Sequence, residues 1–145
     1  FRHLASFGKR IEFWVIGKML KEGLDIYIPL VDDMGIDGIV RKKNGTFLEI
    51  QIKGRSKNIE RGHSGVFANI RHDEIRKDYY FVFYAERMDT IWIMSSEEFI
   101  NNSGQNKKGK NVGTRTIQLN GVKGNEEFTK PDFKKYVATN FDRLK

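Results

Sequence analysis

Three polar side chains, Glu49, Gln51 and Lys53, occupy alternate positions in an otherwise apolar segment. Side chains alternate between the two faces of a β-strand, so a strand over residues 46–53 places all three on one face. The solvated face of an edge hairpin explains this pattern without any chemistry. The alternative is a functional site, because a carboxylate, an amide oxygen and an ammonium group then point the same way.

Asp37 adds a second carboxylate on the predicted partner strand, between Gly35 and Gly38. Glycine lets a backbone or a substrate approach closely. Carboxylate and amide oxygens are ligands that suit Mg²⁺, which can polarise a phosphoryl oxygen and lower the pKa of a bound water. A neighbouring Lys53 can orient that water and stabilise the developing charge. These residue types indicate metal-assisted phosphodiester hydrolysis.

Hydrophobic periodicity and turn signals predict the elements that carry these residues. Apolar residues recur at three- and four-residue spacing over residues 4–22, which predicts a helix ended by Gly23. Asn44-Gly45 predicts a tight turn between strands at 36–41 and 46–53. Further strands are predicted over residues 25–30, 79–84, 90–94 and 114–119, the second of them buried.

The remaining segments predict helices around this sheet. Ser95 and Glu98 have the spacing of a capping box, which predicts a helix from there to about Asn101. The pattern of residues 66–78 is ambiguous, and a short helix is one interpretation of it. Pro131 opens a closing helix, whose apolar stripe is Phe133, Tyr136, Val137 and Phe141. The element order indicates an α/β fold with a mixed central sheet flanked by helices, in a single domain over residues 1–145.

The charge balance favours a polyanionic partner. The chain has 26 basic and 19 acidic side chains, a net charge of +7 and a pI near 9.6. Such a protein binds nucleic acid more readily than other partners. The basic excess lies mostly in two segments, residues 51–76 and 101–124, whose loops at 54–63 and 105–115 are expected to bind DNA phosphates. The alternative is that these loops are solvated and only keep the protein soluble. Candidate phosphate contacts are Arg55, Lys57, Arg61, His63, Lys107, Lys108, Lys110 and Arg115.

Several classes of function are excluded by composition. The chain has no cysteine, which rules out disulfides, cysteine-bound metals and a thiol nucleophile. It lacks phosphate-binding loops of the GxxxxGK[ST] and GxGxxG types, and no order of Ser, His and Asp supports a hydrolase triad. The sequence has no run of about 18 apolar residues, so no membrane span is predicted. We therefore expect a cytoplasmic protein without membrane contacts.

At Gly35-Ile36-Asp37-Gly38 and Gln51-Ile52-Lys53 the chain resembles the PD-(D/E)XK nuclease superfamily, the fold of many restriction endonucleases. The nearest branches are the Mrr-type restriction enzymes, the archaeal Holliday-junction resolvases and a group of intron-encoded homing endonucleases. The motifs cover residues 5–57, and residues 79–119 match only in element order. The resemblance implies a restriction-endonuclease-like αβββαβ core.

The resemblance also implies a role for individual residues. Asp37 matches the metal-binding Asp, Lys53 the family Lys, and Glu12 the helix acid of some branches. Gln51 stands in place of the second acidic ligand, as in known variants, and Ile36 replaces the usual Pro. Glu49 offers an alternative frame, although only the Gln51 frame supplies the ammonium group. Glu12 is equally explained as a surface residue paired with a neighbouring base.

The expected activity is that of a DNA endonuclease that uses Mg²⁺, with Mn²⁺ able to substitute, and acts on double-stranded DNA. Cutting both strands needs two active sites, so a homodimer or higher homo-oligomer is expected. One alternative is a non-catalytic nucleic-acid-binding module on the same fold, with Gln51 marking a lost ligand. Another is an α/β interaction domain whose basic loops serve only solubility.

Overall fold

The computed structural model describes residues 4–31 and 33–145; Asp32, in the predicted turn at 31–35, lies outside the described residues. No helix in the described ranges has the length and apolar character needed to cross a membrane. In chain order the elements are α1 (Leu4–Lys21), β1 (Asp25–Tyr27), β2 (Gly38–Arg41), β3 (Phe47–Arg55), β4 (Val66–Ile70), β5 (Tyr79–Ala85), β6 (Thr90–Ser95), α2 (Ser96–Asn102), β7 (Gly104–Gln105), β8 (Arg115–Gln118), β9 (Asn120–Lys123), β10 (Glu126–Thr129) and two 3₁₀ helices (Pro131–Tyr136 and Asp142–Leu144).

Five strands form the central sheet, in the order β1-β2-β3-β5-β6. β3 and β5 run parallel, and the other neighbouring strands run antiparallel. β3 is therefore the middle strand and β5 is interior, flanked by β3 and β6. The prediction of an α/β fold with a mixed central sheet flanked by helices is confirmed.

One face of the sheet packs against α1. Ile11, Val15 and Met19 are almost fully buried and lie in one core with Ile50 and Ile52 of β3. The periodicity of the helix thus buries one stripe, as expected for an amphipathic helix. Leu48, Ile50 and Ile52 of β3 are buried on this face, so Glu49, Gln51 and Lys53, which alternate with them, face the other side.

The opposite face carries an aromatic core. Phe81 and Phe83 of β5 pack with Phe99 of α2 and Phe67 of β4, and the Phe81 and Phe99 ring centroids are 4.3 Å apart. A second sheet, ordered β4-β8-β7, contributes to this side. The sheet is thus a middle layer, with a helix on one side and a helix plus a small sheet on the other.

The interpretation of residues 66–78 as a short helix is wrong, because residues 66–70 form strand β4 and no helix follows up to residue 78. β4 pairs with β8, with a register shift between Phe67 and Ile70. Asn69, inside this irregularity, has a positive φ of 58°. The bulge interrupts the two-residue alternation that would have indicated a strand.

The prediction of a closing helix from Pro131 is also wrong, both in the type of helix and in its length. Residues 131–136 form a 3₁₀ helix, and Val137 is extended and forms an isolated bridge to Trp92 of β6. The backbone N–H of Ala138 donates to Ile91 O at 2.8 Å. β6 is an edge strand, and these residues cover its open edge instead of continuing a helix.

Gly54 marks the closest approach of α1 to β3, and it gives a test of this packing. A Cβ at Gly54 would lie 2.6 Å from Ile11 Cγ2. We expect Gly54→Ala to lower the free energy of unfolding by about 1–3 kcal/mol, as overpacked cores do. Urea unfolding measures this loss.

Gly17→Ala is the matched control, because a Cβ at Gly17 meets nothing within 4 Å. Alanine in a helix is more stable than glycine by about 0.5–1 kcal/mol, so this variant should gain stability. A Gly54→Ala variant as stable as the wild type would contradict the packing.

Candidate functional site

The carboxylate of Asp37 is fixed to the middle strand by hydrogen bonds. Asp37 Oδ2 accepts a hydrogen bond from the backbone N–H of Ile52 at 2.7 Å. The Asp37 N–H donates to Ile50 O at 2.8 Å, just before β2 begins. These two contacts bracket Gln51 along β3. The carboxylate therefore lies beside the segment that carries Gln51 and Lys53.

Gln51 and Lys53 line one open cleft with a volume of about 540 Å³. Both are half-buried on β3 and alternate with Ile50 and Ile52, which are buried on the α1 side. Further residues of the cleft wall include Gly35, Arg71, His72, Arg76 and Tyr79. The predicted polar face of β3 thus opens onto a cleft that also holds arginines.

Tyr79 connects Gln51 to the turn before Asp37. Its hydroxyl oxygen lies 2.5 Å from Gly35 O and 2.9 Å from the side-chain amide of Gln51. Burial raises the pKa of Tyr79 far above its ordinary value, and the carboxylates of Asp37 and Glu49 add to this shift. Tyr79 therefore remains a neutral hydroxyl at the side of the cleft.

Arg76 ties together the strands and turn around Tyr79. Its guanidinium forms an ion pair with Glu49 at 3.2 Å and donates to Met34 O at 2.9 Å. It also lies over the Tyr79 ring, 4.2 Å from the centroid. Glu49 thus serves as the counter-ion of Arg76, which supports the Gln51-Ile52-Lys53 frame over the frame beginning at Glu49.

His72 forms the inner wall of the cleft as a neutral side chain. It is 4% exposed, and its Nε2 lies 2.6 Å from Ser96 Oγ. Its ring stacks on Tyr79 with centroids 5.1 Å apart. Burial, together with the positive charges of Arg76 and Arg115, lowers the pKa of His72 to about 4. His72 therefore supports the cleft and carries no charge at neutral pH.

Glu12 lies elsewhere relative to this cleft. It is on α1, which packs against the apolar face of β3, whereas Gln51 and Lys53 line the cleft on the other face. Its carboxylate pairs with Lys9, with Nζ and Oε2 3.0 Å apart. The described contacts thus place Asp37 against the backbone next to Gln51, Gln51 and Lys53 share the cleft, and Glu12 has a partner on its own helix. A catalytic role for Glu12 stays a prediction.

The first basic segment is held by a buried carboxylate. Glu127 of β10 accepts hydrogen bonds from Ser64 Oγ at 2.8 Å and from Asn120, and it pairs with Arg87 at 2.8 Å. Burial opposes ionisation of Glu127, but hydrogen bonds from Ser64 and Arg87 keep its pKa below the ordinary value. Arg87 also donates to the carbonyl oxygens of Lys57 and Ile59. Glu127 and Arg87 thus hold the predicted phosphate-binding loop in place through hydrogen bonds to Ser64 and to the backbone of Lys57 and Ile59.

The predicted phosphate-binding residues of this segment differ in their contacts. Arg55 is partly buried, which lowers its pKa, and its Nε donates to His63 O at 3.4 Å. Arg61 donates to Asn125, and His63 lies 3.7 Å from Glu60. Lys57 is exposed. All four remain on one surface segment, and their role with DNA stays a prediction.

In the second basic segment, Arg115 differs from the lysines because its guanidinium is hydrogen-bonded within the protein. Its guanidinium donates to His72 O at 3.2 Å and to Ile100 O at 3.4 Å. Arg115 thus joins β8 to the cleft wall, which suits it less to a phosphate than the exposed Lys107, Lys108 and Lys110. Arg71, which the sequence left unassigned, is exposed and lines the cleft.

The candidate site contains fewer acidic side chains than a metal centre usually has. Within residues 4–31 and 33–145, no three His, Asp or Glu side chains group closely enough to hold a metal ion. The candidate ligands are instead one carboxylate, Asp37, and one amide, Gln51, whose oxygens suit Mg²⁺. Gly35 leaves room beside them, since a Cβ there would lie 3.1 Å from Gln51 Nε2 and Tyr79 Oη.

The chain is similar in structure to a bacterial homing endonuclease. No protein-family model and no curated protein matches the sequence. Among solved structures, the bacterial homing endonuclease I-Ssp6803I matches with a TM-score of 0.60 and 21% sequence identity, over 90% of this chain and 83% of that chain. The likeness is one of fold. It agrees with the nuclease-like α/β architecture expected from the sequence.

The sequence interpretation missed Tyr79, Arg76 and His72 as parts of the site. Tyr79 was assigned to a buried strand, which is correct, but the parallel pairing places it opposite Glu49. That pairing is not encoded in any local pattern. The one available signal was polarity at the start of the apolar run, where a tyrosine hydroxyl needs a partner when buried.

The lowered pKa of His72 predicts an acid-sensitive fold. A neutral buried His contributes stability that is complete above pH 6.5 and is lost as the pH falls toward the folded-state pKa of about 4. The unfolded chain binds the proton first, so we expect the free energy of unfolding to fall by roughly 3 kcal/mol over this range. Chemical unfolding at a series of pH values measures it.

His72→Gln is the control, because it removes this titration and retains a polar side chain. Carboxylates titrate in both proteins and cancel in the comparison. Parallel pH profiles of the wild type and His72→Gln between pH 6.5 and 4 would show that His72 is not held neutral by the fold.

Proposed function

We propose that this protein is a Mg²⁺-dependent DNA endonuclease of the PD-(D/E)XK type, which hydrolyses phosphodiester bonds in double-stranded DNA. The observation that carries the proposal is the 2.7 Å hydrogen bond between Asp37 Oδ2 and Ile52 N, which fixes a carboxylate beside Gln51 and Lys53. The fold shared with a bacterial homing endonuclease supports it. Restriction, homing and junction resolution all use such chemistry.

Each residue of the site has a distinct task in this proposal. Asp37 and Gln51 supply the oxygen ligands for the divalent ion. Glu12, which matches the helix acid of some branches of the superfamily, is a further candidate ligand. When bound, the ion contributes positive charge to the phosphoryl oxygens and makes a bound water more acidic. Lys53 orients the attacking water and stabilises negative charge on the phosphate. Mn²⁺ is expected to substitute for Mg²⁺.

The amide ligand has a consequence for metal affinity. An amide oxygen carries no net charge, whereas the usual second ligand is a carboxylate. Gln51 therefore holds a cation less tightly, and occupancy depends more strongly on the metal concentration. Bound DNA would add phosphate oxygens as further ligands and negative charge next to the ion, and the exposed Arg71 on the cleft wall attracts such a phosphate.

The two basic segments grip DNA in this proposal. Lys57, Arg61 and His63 lie on one loop, directly after Arg55 at the end of β3, and Lys107, Lys108 and Lys110 lie on the other. Contacts to phosphates position the duplex and carry no sequence information directly. Cutting both strands requires two copies of the site, so the active species is a homodimer or a larger homo-oligomer.

A non-catalytic DNA-binding module is the second candidate. It is favoured by the single carboxylate among the central residues, since the described part of the chain has no cluster of three metal-binding acids or histidines. A module of this kind binds duplex DNA without response to Mg²⁺. An active nuclease is stabilised by Mg²⁺, because a ligand of the folded state shifts unfolding.

Substitution of the central residues tests the catalytic proposal. Lys53→Ala and Asp37→Asn should each lower Mg²⁺-dependent plasmid cleavage by about 10²- to 10³-fold, because a stabilising charge or a ligand is lost. Asn at position 37 keeps an oxygen for the Ile52 N–H, so the fold is retained. Binding of duplex DNA, measured by fluorescence anisotropy, should change little.

Lys43→Ala is the matched control, since Lys43 is exposed at the hairpin turn. It should cleave at the wild-type rate. A wild-type protein that binds duplex DNA but never nicks it in Mg²⁺ or Mn²⁺ would defeat the enzyme proposal and favour the non-catalytic module.

The salt dependence of DNA binding tests the second basic segment. Replacing Lys107, Lys108 and Lys110 together by Gln should reduce the slope of log affinity against log salt by about 2–3, because each phosphate contact releases counterions. The change in slope is measured by anisotropy titrations at several salt concentrations.

A triple variant with Lys43, Lys134 and Lys135 replaced by Gln has the same net charge and serves as the control. All three lysines are exposed and lie outside this segment. Equal slopes for the two triple variants would show that only overall charge matters, as expected for a protein without a defined DNA-binding surface.

A further inference from the structure

The hydroxyl of Tyr79 has two neighbours but only one proton. Its oxygen lies 2.5 Å from the backbone oxygen of Gly35 and 2.9 Å from the Gln51 amide atom assigned as Oε1. Both of these atoms are acceptors. A tyrosine hydroxyl is protonated at neutral pH and donates one hydrogen bond. It cannot satisfy both contacts as a donor.

The shorter contact decides where the proton lies. A backbone carbonyl oxygen can only accept, and two oxygens 2.5 Å apart repel each other unless a proton lies between them. Tyr79 therefore donates to Gly35 O. Its oxygen can then only accept from Gln51, and the only donor on that side chain is the Nε2 amino group.

The oxygen and nitrogen of a carboxamide are distinguished by their hydrogen bonds. The contacts above require Nε2 to face Tyr79, so Oε1 occupies the other position of the amide. That position lies 3.1 Å from where a Cβ on Gly35 would be. Gly35 and Gln51 both line the cleft, and the absence of a side chain at Gly35 leaves the amide oxygen space there.

We propose that Tyr79 is a positioning residue that accepts a hydrogen bond from Gln51 Nε2 and thereby turns Gln51 Oε1 into the cleft as a cation ligand. This inference rests on the proposed nuclease function. A carboxylate at position 51 has two equivalent oxygens and needs no such device. An amide does, because its nitrogen cannot bind a cation and a rotation of 180° exchanges the two groups.

His72 and Arg76 keep Tyr79 in place for this task. The His72 ring stacks on Tyr79, and the Arg76 guanidinium lies over the same ring while donating to Met34 O, next to Gly35. Both partners of the hydroxyl, the Gly35 carbonyl and the Gln51 amide, are thus held relative to a fixed ring. The orientation thus depends on three residues outside the hairpin: Tyr79, His72 and Arg76.

The test compares Tyr79→Phe in two backgrounds, the wild type and Gln51→Glu. In the wild-type background, loss of one hydrogen bond should raise the Mg²⁺ concentration for half-maximal cleavage by about fivefold. In the Gln51→Glu background the same substitution should leave that concentration unchanged or lower it, because the hydroxyl oxygen no longer faces a carboxylate. Mn²⁺ binding without DNA, followed by electron paramagnetic resonance, should show the same pattern.

Tyr84→Phe is the matched control, because Tyr84 lies on the same strand with its hydroxyl bonded to Asp89. It should not change the metal dependence in either background. The opposite assignment, with Tyr79 donating to residue 51, predicts a larger loss in the Gln51→Glu background, since a carboxylate is the stronger acceptor. That result, or an unchanged Tyr79→Phe in the wild-type background, overturns the inference.

A measurement on the wild-type protein covers the case in which Tyr79→Phe fails to fold. Nuclear Overhauser effects between the Gln51 side-chain amide protons and the Tyr79 ring protons are expected, and their absence overturns the inference. A wild-type protein that neither cleaves DNA nor binds Mn²⁺ defeats the proposed function itself. That failure is visible before any variant is made and is therefore distinct from a failure of the Tyr79 assignment.

Discussion

A single hydrogen bond, from the backbone N–H of Ile52 to Asp37 Oδ2, is the constraint on which the candidate site depends. It joins a carboxylate that precedes one strand to the middle strand of the sheet, at the position between Gln51 and Lys53. The orientation of β3 is fixed by its other face, because Leu48, Ile50 and Ile52 are buried in the core shared with α1. A shift of β3 by one residue would exchange its faces and remove Gln51 and Lys53 from the cleft.

The aromatic side of the sheet gives the site its rigid surroundings. The parallel pairing of β3 with β5 places Tyr79 opposite Glu49, and Arg76 then bridges Glu49 and the Met34 carbonyl. Gln51 and Lys53 therefore lie on a strand and Asp37 directly precedes one, while the surrounding residues come from the start of β5 (Tyr79) and from the segment between β4 and β5 (His72 and Arg76). The basic loop that follows β3 is anchored separately, through Glu127 and Arg87. Orientation of the ligands and attachment to a polyanion are thus carried by different parts of the fold.

The hairpin and its polar face could be predicted because they depend on local rules: alternation along β3 and the Asn44-Gly45 turn. The capping box at Ser95 and Glu98 was equally local, and both of its hydrogen bonds are present. The parts that could not be predicted depend on distant partners. Residues 66–70 form a strand whose alternation is broken at Asn69, and residues 137–138 leave a helical pattern to cover the edge of β6. Tyr79 and His72 were missed for the same reason, since only the tertiary pairing brings them to Gln51.

The most direct measurement is a crystal structure of the protein bound to duplex DNA and Mn²⁺, with the ion located by anomalous scattering. We predict a Mn²⁺ peak within coordination distance of an Asp37 oxygen and of the Gln51 side-chain oxygen, with Lys53 Nζ beside the DNA phosphate next to this ion. A peak held by other residues, or bound DNA with no ion between Asp37 and Gln51, would contradict it.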